Sequence, residues 1–278
     1  MTPNAESHWI LVRGLARESR HWGTFAKEFA CALETEGRTA RIDLLDLPGS
    51  GRYSEMRSPV TVKEITSFMR EKFLELRRRI REQGEIPPPK TYLVAVSLAG
   101  MVACDWMERW PGDLTGVVLI NSSFKGFSPP HRRLTPEAYA RMFKILREKD
   151  PVEREKRVLE MVSNRPERHA EIAAEWAAIQ LSRPVSHENF VRQLTAAALY
   201  QPGLVKPETP VLILNSEGDR MVHPSCSEQI AARWGATLVR HPTAGHELPL
   251  DEAAFTAKAI ANWHEGLQAL SPRPQAGV

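Results

Sequence analysis

Ser97 lies in a nest of small residues, Ala95-Val96-Ser97-Leu98-Ala99-Gly100, between the apolar run Tyr92-Leu93-Val94 and the helical stretch Met101 to Trp110. A strand that turns sharply into a helix needs small side chains two residues before and two after the corner, because strand end and helix start crowd each other there. A serine at such a corner is held in a sparsely populated backbone conformation. Its hydroxyl stands clear of the sheet at a helix N-terminus, where backbone N–H groups can stabilise a developing anion. Read this way, Ser97 is a nucleophile. The same stretch also reads as strand, turn and helix with an ordinary serine near the N-cap, and Ala95 and Ala99 stand where glycines are usual.

A serine nucleophile needs a base, an acid that orients the base, and a scaffold to hold them. Short apolar runs alternate with amphipathic helical patterns: Trp9 to Val12, Trp22 to Leu33, Thr39 to Asp43, Val60 to Ile80, Tyr92 to Val96, the helix after Ser97, and Gly116 to Ile120. This rhythm predicts a parallel sheet covered by helices on both faces. From Phe124 to Lys206 the pattern is helical only, with candidate faces Ile172, Trp176, Ile179 and Phe190, Leu194, Ala197. The alternation resumes with Pro210 to Leu214, a helix Ser225 to Trp234, a strand Thr237 to Val239 and a closing helix Asp251 to Leu267. The expected division is a core over 1–123, a helical insertion over 124–206, the rest of the core over 207–270 and a frayed tail over 271–278. Ligands of open parallel sheets bind beyond the carboxyl ends of the strands. Those ends carry Arg13-Gly14-Leu15, Ser97, Asn121-Ser122-Ser123-Phe124, Asn215 to Asp219, and His241 to His246, so a Ser, an acid and a His follow in that order.

Composition narrows the function classes. A net charge of +3 gives no sign of nucleic-acid binding through bulk charge. No apolar run approaches the ~18 residues of a membrane span, and the first seven residues lack the basic and apolar regions of a secretion signal. Cys31, Cys104 and Cys226 show no C-x-x-C spacing, which fits a reducing compartment and a cytoplasmic location; Cys104 reads as small core filler. No histidine pair has metal-ligand spacing, and no cofactor is called for.

With these residues in view, the chain resembles the α/β-hydrolase superfamily. Ile10 to Leu15 followed by Trp22 is similar to the strand and loop that supply one oxyanion donor. Asp46-Leu47-Pro48-Gly49-Ser50-Gly51 is similar to the family's D-x-P-G-x-G segment. Pro210 to Val222 resembles the strand and loop of the triad acid, and Gly245-His246 the loop of the triad histidine. The insertion after Ile120 falls where the family places its cap. The resemblance implies a mostly parallel sheet flanked by helices, with an all-helical cap before the last two strands and without the family's N-terminal strand pair. It also implies catalysis by Ser97, His246 as general base and Asp219 as orienting acid, with the backbone N–H groups of Leu15 and Leu98 as oxyanion hole.

Alternatives remain at several positions. Glu217 and Asp251 compete with Asp219, and His241 competes with His246. Arg13 replaces the histidine usual before the oxyanion-loop glycine. Its guanidinium either forms a salt bridge, with Glu18 or Asp46, or reaches the pocket and prefers a carboxylate or phosphate. Arg13, Ser122 and Phe124 are therefore the candidate substrate-binding residues. The implied activity is hydrolysis of a small-molecule carboxylic ester or thioester through an acyl-enzyme. An acyltransferase, a C–C bond hydrolase or a non-catalytic binding protein of the same fold are the other readings. The insertion holds fifteen Lys and Arg against ten Asp and Glu. That excess is either a solvated helix face or a surface for an acidic acyl carrier protein. For the latter, the chain is loosely similar to pimeloyl-carrier-protein methyl ester esterases, whose cap also follows a strand ending in a Ser-Ser pair.

Overall fold

The computed structural model describes residues 6–34, 39–88 and 90–270; the frayed tail expected over 271–278 lies outside them. Six strands, β1 (Ser7–Val12), β2 (Ala40–Leu45), β3 (Lys90–Val96), β4 (Gly116–Ile120), β5 (Val211–Ser216) and β6 (Thr237–His241), form one sheet in the order β2-β1-β3-β4-β5-β6. Every pairing is parallel, so the sheet is wholly rather than mostly parallel. The strands are continuous apolar runs because both faces are covered. Ile10, Val12, Leu93, Ala95, Val117 and Leu119 pack on one side with α2 (Val62–Glu82), α3 (Leu98–Arg109) and α9 (Ser225–Trp234). Trp9, Leu11, Tyr92, Val94, Val118 and Ile120 pack on the other with α1 (Phe25–Leu33) and α11 (Ala253–Leu270). Trp9 anchors that second layer, stacked on Tyr92 with centroids 4.5 Å apart and edge-on to Phe29 at 5.0 Å.

Between β4 and β5 the chain is helical: α4 (Pro130–Arg133), α5 (Pro136–Arg147), α6 (Pro151–Val162), α7 (His169–Ser182) and α8 (His187–Leu199). The starts are written into the sequence. Thr135 and Asp150 each precede a proline at the first helical position and accept from the amides of Ala138 and Glu153; Ser186 accepts from Asn189. Ile172, Trp176 and Ile179 of α7 join Leu134, Met142, Leu159 and Val162 in a core of their own, which extends onto Met221 and Val222 beyond β5.

The inner face of α8 is wider than expected. Phe190, Leu194 and Ala197 pack half-buried against the apolar cores, and Asn189, Gln193 and Ala196 beside them are buried. The amides face inward because a loop with free backbone groups lies opposite. Asn189 Nδ2 donates to the carbonyls of Met56 (2.9 Å), Ser54 and Gly49, while its Oδ1 accepts from Ser58 N (2.8 Å). Gln193 Nε2 donates to Pro48 O (3.1 Å) and Ser50 Oγ (3.0 Å). The closing helix expected over Asp251 to Leu267 is α11, and a short helix, α10 (Leu248–Asp251), precedes it, with Glu252 between them at φ −142°, ψ 62°. Asn189→Leu would strand one buried N–H and three carbonyls. It should lower unfolding stability by about 2–4 kcal/mol, read as a reduced urea midpoint at unchanged slope.

Candidate active site

The strand order reverses at β1, which lies between β2 and β3, and such a switch point opens a crevice at the carboxyl ends of the flanking strands. Val12 of β1 is paired in register with Ala95 of β3, so Gly14 and Ser97, each two residues further on, meet. A Cβ on Gly14 would stand 3.0 Å from Ser97 Cβ and 3.1 Å from the Val96 carbonyl oxygen, which leaves room for glycine alone without displacement. Ser97 itself has φ 55° and ψ −117°, a conformation L-residues rarely adopt. Three hydrogen bonds hold it there. Ser97 N donates to Ile120 O (2.8 Å), and Ser97 O accepts from Gly100 N (2.9 Å) and Ser122 Oγ (2.9 Å). A Cβ on Gly100 would lie 2.0 Å from Ser122 Oγ, so the close approach needs its glycine at 100 while Ala95 and Ala99 fit as they are.

His246 and Asp219 are brought together. His246 Nδ1 donates to Asp219 Oδ2 at 2.7 Å, and Asp219 Oδ1 accepts from the amides of Met221 (2.8 Å) and Val222 (3.0 Å). Both side chains are buried. Burial pushes the imidazole pKa down, but the Asp219 charge and hydrogen bond, with Glu247 adding to them, outweigh it and hold the ring above its ordinary value. Ser97 and His246 line one cavity of about 280 Å³ together with Gly14, Leu15, Ala16 and Arg17. The amides of Leu15 and Leu98 donate to no acceptor among the described residues, and Leu98 N opens the twelve-residue helix α3.

The competing residues serve elsewhere. Glu217 is exposed. His241 Nδ1 accepts from Ala244 N (3.0 Å), and its ring packs edge-on to Phe255. Asp251 accepts from Gly245 N (2.7 Å), Asn164 N (2.9 Å) and Ser163 Oγ (2.6 Å), while His169 Nε2 lies 3.1 Å from Ser163 Oγ. This second Ser, His and Asp group has the serine in the middle with its proton directed to the carboxylate. The order a proton relay needs, acid to imidazole to hydroxyl, is absent from it. Its effect is to fix Gly245, and so the loop of His246. Asn121 fixes the same loop from β4: Nδ2 donates to His246 O (2.8 Å) and Ser216 Oγ (3.0 Å), and Oδ1 accepts from Ser216 N (2.9 Å).

The three substrate-binding candidates lie outside the cavity wall. Arg13 is 2% exposed, and Nη2 donates to Glu247 Oε2 at 2.5 Å with the guanidinium over Trp22. Its partner is therefore neither Glu18, which binds Arg20, nor Asp46, which accepts from Ser19 and Arg52. Ser122 is occupied by the Ser97 carbonyl, and Phe124 is buried against Phe127 and Trp234. The wall is instead built by Arg17, four residues after Arg13, and by the inserted helices: Met142, Ile145 and Leu146 of α5, Arg154, Glu155, Val158, Met161 and Val162 of α6, Gln180 of α7 and Phe190 of α8. Those helices also grip the loop after β1. Ala16, at φ 54°, donates its N–H to Gln193 Oε1 (2.9 Å) and accepts at its carbonyl from Gln180 Nε2 (3.4 Å). The interior amides Gln180 and Gln193 carry no pattern that sequence reading could use. Among the described residues no group of three or more His, Cys, Asp or Glu is placed to hold a metal ion, and no helix is long and apolar enough to cross a membrane.

The chain belongs to the alpha/beta hydrolase family, whose model matches residues 9–259. No curated protein matches it by sequence. Solved structures share the fold at low identity. A hydrolase from Pseudomonas aeruginosa PA01 has a TM-score of 0.71 at 18% identity, over 95% of this chain and 91% of that one. An esterase from Exiguobacterium antarcticum has 0.71 at 14%, over 94% and 93%. A thermophilic esterase from Thermogutta terrifontis has 0.65 at 20%, over 95% and 91%.

Two outcomes follow from the geometry. The His246 imidazole should titrate above 6.5 by NMR, and below it in Asp219→Asn, where burial is no longer outweighed. Because the folded pKa is raised, the stabilisation that Asp219 gives the imidazolium is full below the unfolded pKa and lost as pH rises through the folded one. The melting-temperature deficit of Asp219→Asn should shrink accordingly over that window. Gly14→Ala should displace the loop after β1 from Ser97 and cost about 1–3 kcal/mol of stability by urea unfolding.

Proposed function

We propose that this alpha/beta hydrolase is a serine esterase, with residues 124–206 as its cap and Ser97, His246 and Asp219 as its triad. The observation that carries the reading is the buried 2.7 Å Asp219–His246 contact on the cavity that Ser97 also lines. In the first half-reaction Ser97 Oγ forms a bond to the ester carbonyl carbon as His246 Nε2 takes the hydroxyl proton. The C–O bond to the leaving alcohol breaks, and His246 returns the proton to that oxygen. Water then attacks the acyl-enzyme with His246 as base, releasing the acid and Ser97. The Leu15 and Leu98 amides supply the oxyanion hole, each donor worth about 3–4 kcal/mol of barrier. The strained Ser97 backbone and the glycine at 14 support this, since the latter lets the loop carrying the Leu15 amide approach the Ser97 corner.

A cavity of about 280 Å³, walled largely by aliphatic and Met side chains of the insertion, suits a short or medium acyl group. The excess positive charge of the insertion is offset in part by carboxylates outside it, since Arg165 faces Glu252 and Arg183 faces Glu18, and this weakens the support for carrier-protein capture. The same triad would serve an acyl acceptor other than water, and the acceptor is set by what the cavity admits after the first half-reaction.

A fluorophosphonate probe should label the wild type and leave Ser97→Ala unlabelled; equal labelling of the two would overturn the assignment. Ser97→Ala and His246→Ala should each lower kcat on 4-nitrophenyl butyrate by about 10⁴-fold or more, and the double variant no further. The acid limb of kcat/KM should lie above 6.5, because the base must be neutral.

A further inference from the structure

Among the described residues, four charged side chains that the triad and oxyanion hole leave unused line the cavity, Arg17, Arg154, Glu155 and Glu247, and of these Arg17 keeps donors free. Arg17 is 8% exposed and borders the cavity. Its protein contacts run through one nitrogen: Nη1 donates to Glu155 Oε2 at 2.8 Å and to His21 Nε2 at 3.1 Å. The face of the guanidinium lies over the Trp176 ring at 4.5 Å. Nε and Nη2 donate to nothing among the described residues, yet they are not sealed in protein as Arg13 Nε is. Arg accepts no hydrogen bond, so His21 Nε2 must accept from Nη1 and the ring must be neutral. Burial and the charges of Arg17 and Arg13 push the His21 pKa well below its ordinary value, in agreement. Arg154, also in the wall, has Glu155 Oε1 only at 3.8 Å. Two guanidinium groups thus share one buried carboxylate, and the other carboxylate of the wall, Glu247, is already held by Arg13 from behind it.

We propose that Arg17, with Arg154, forms a subsite for a carboxylate on the substrate, so that the preferred ester carries a free acid group at the end opposite the scissile bond. The free Nε–H and Nη2–H edge is the fork that binds a carboxylate by two parallel hydrogen bonds. Trp176 and His21 pre-set its plane, which lowers the cost of ordering it. Arg17 is two residues from Leu15, a reach of at most about 7 Å of chain, so acid and ester share a short spacer. Half-esters of small dicarboxylic acids have this form. The proposal rests on the esterase reading for which end is cut, but not for whether the acid binds.

The test compares monomethyl glutarate with methyl valerate, followed by methanol release. The ratio of their kcat/KM values should exceed one in the wild type. It should fall about 10- to 100-fold in Arg17→Met, fall less in Arg154→Met, and rise in Glu155→Gln, which removes the shared counter-charge. A fold defect alone would not raise the ratio in any variant. If Arg17→Met does not fold, Arg154→Met and Glu155→Gln decide by their opposite signs. In parallel, calorimetry on Ser97→Ala should detect glutarate binding that Ser97→Ala with Arg154→Met weakens. Turnover of both esters with a ratio unmoved by these variants would overturn the subsite and leave the esterase standing. Glutarate binding that depends on Arg154, without Ser97-dependent turnover of any ester, would do the reverse.

Discussion

The site hangs on one steric constraint, the absence of a side chain at position 14. Parallel pairing of β1 with β3 drives their two exit loops into each other, and only the missing Cβ lets them share that space. The contact sets the Leu15 amide near the Ser97 corner and sends Arg17 into the cavity. It also presents Ala16 to the inserted helices, whose glutamine side chains bind both its backbone groups. A left-handed alanine is a strained choice, and it persists because its N–H and C=O are both held.

Sheet and corner were legible because they rest on local rules. Apolar runs bounded by turns gave all six strands, β4 to the residue, and small side chains around Ser97 gave the corner. The order of Ser97, Asp219 and His246 at strand ends could be read because each follows an apolar run. What resisted reading was polar and distant. Periodicity found Phe190, Leu194 and Ala197 of α8, which pack against the cores, but passed over the polar residues beside them, since it assumes that buried means apolar. Asn189 and Gln193 are inside because a loop with unpaired carbonyls lies opposite. Arg13 meets Glu247 across 234 residues, a separation that leaves no spacing in the sequence. Of the two readings of Arg13, the salt bridge is the one observed, with Glu247 as partner, and the guanidinium in the cavity wall belongs to Arg17 four residues on.

Buried opposite charges gather around the cavity: Arg13 with Glu247, Arg17 with Glu155, His246 with Asp219. Such pairs contribute little net stability once desolvation is counted, because each ion gives up its water. Their effect is directional. Arg13 ties β1's exit to the residue after His246, and Arg17 ties it to α6, so the loops that must agree in position are joined by bonds with defined angles.

The amide contacts of α8 have a similar bearing on selectivity. An apolar seam tolerates sliding, because contact between methyl groups has no preferred direction. Asn189 and Gln193 instead address individual carbonyls and amides on the loop across from them, and a shift of an ångström would break several at once. A cavity wall held in that way behaves as a mould rather than a cushion. What it admits is then limited by shape as well as charge, with little capacity to accommodate a misfit by adjusting.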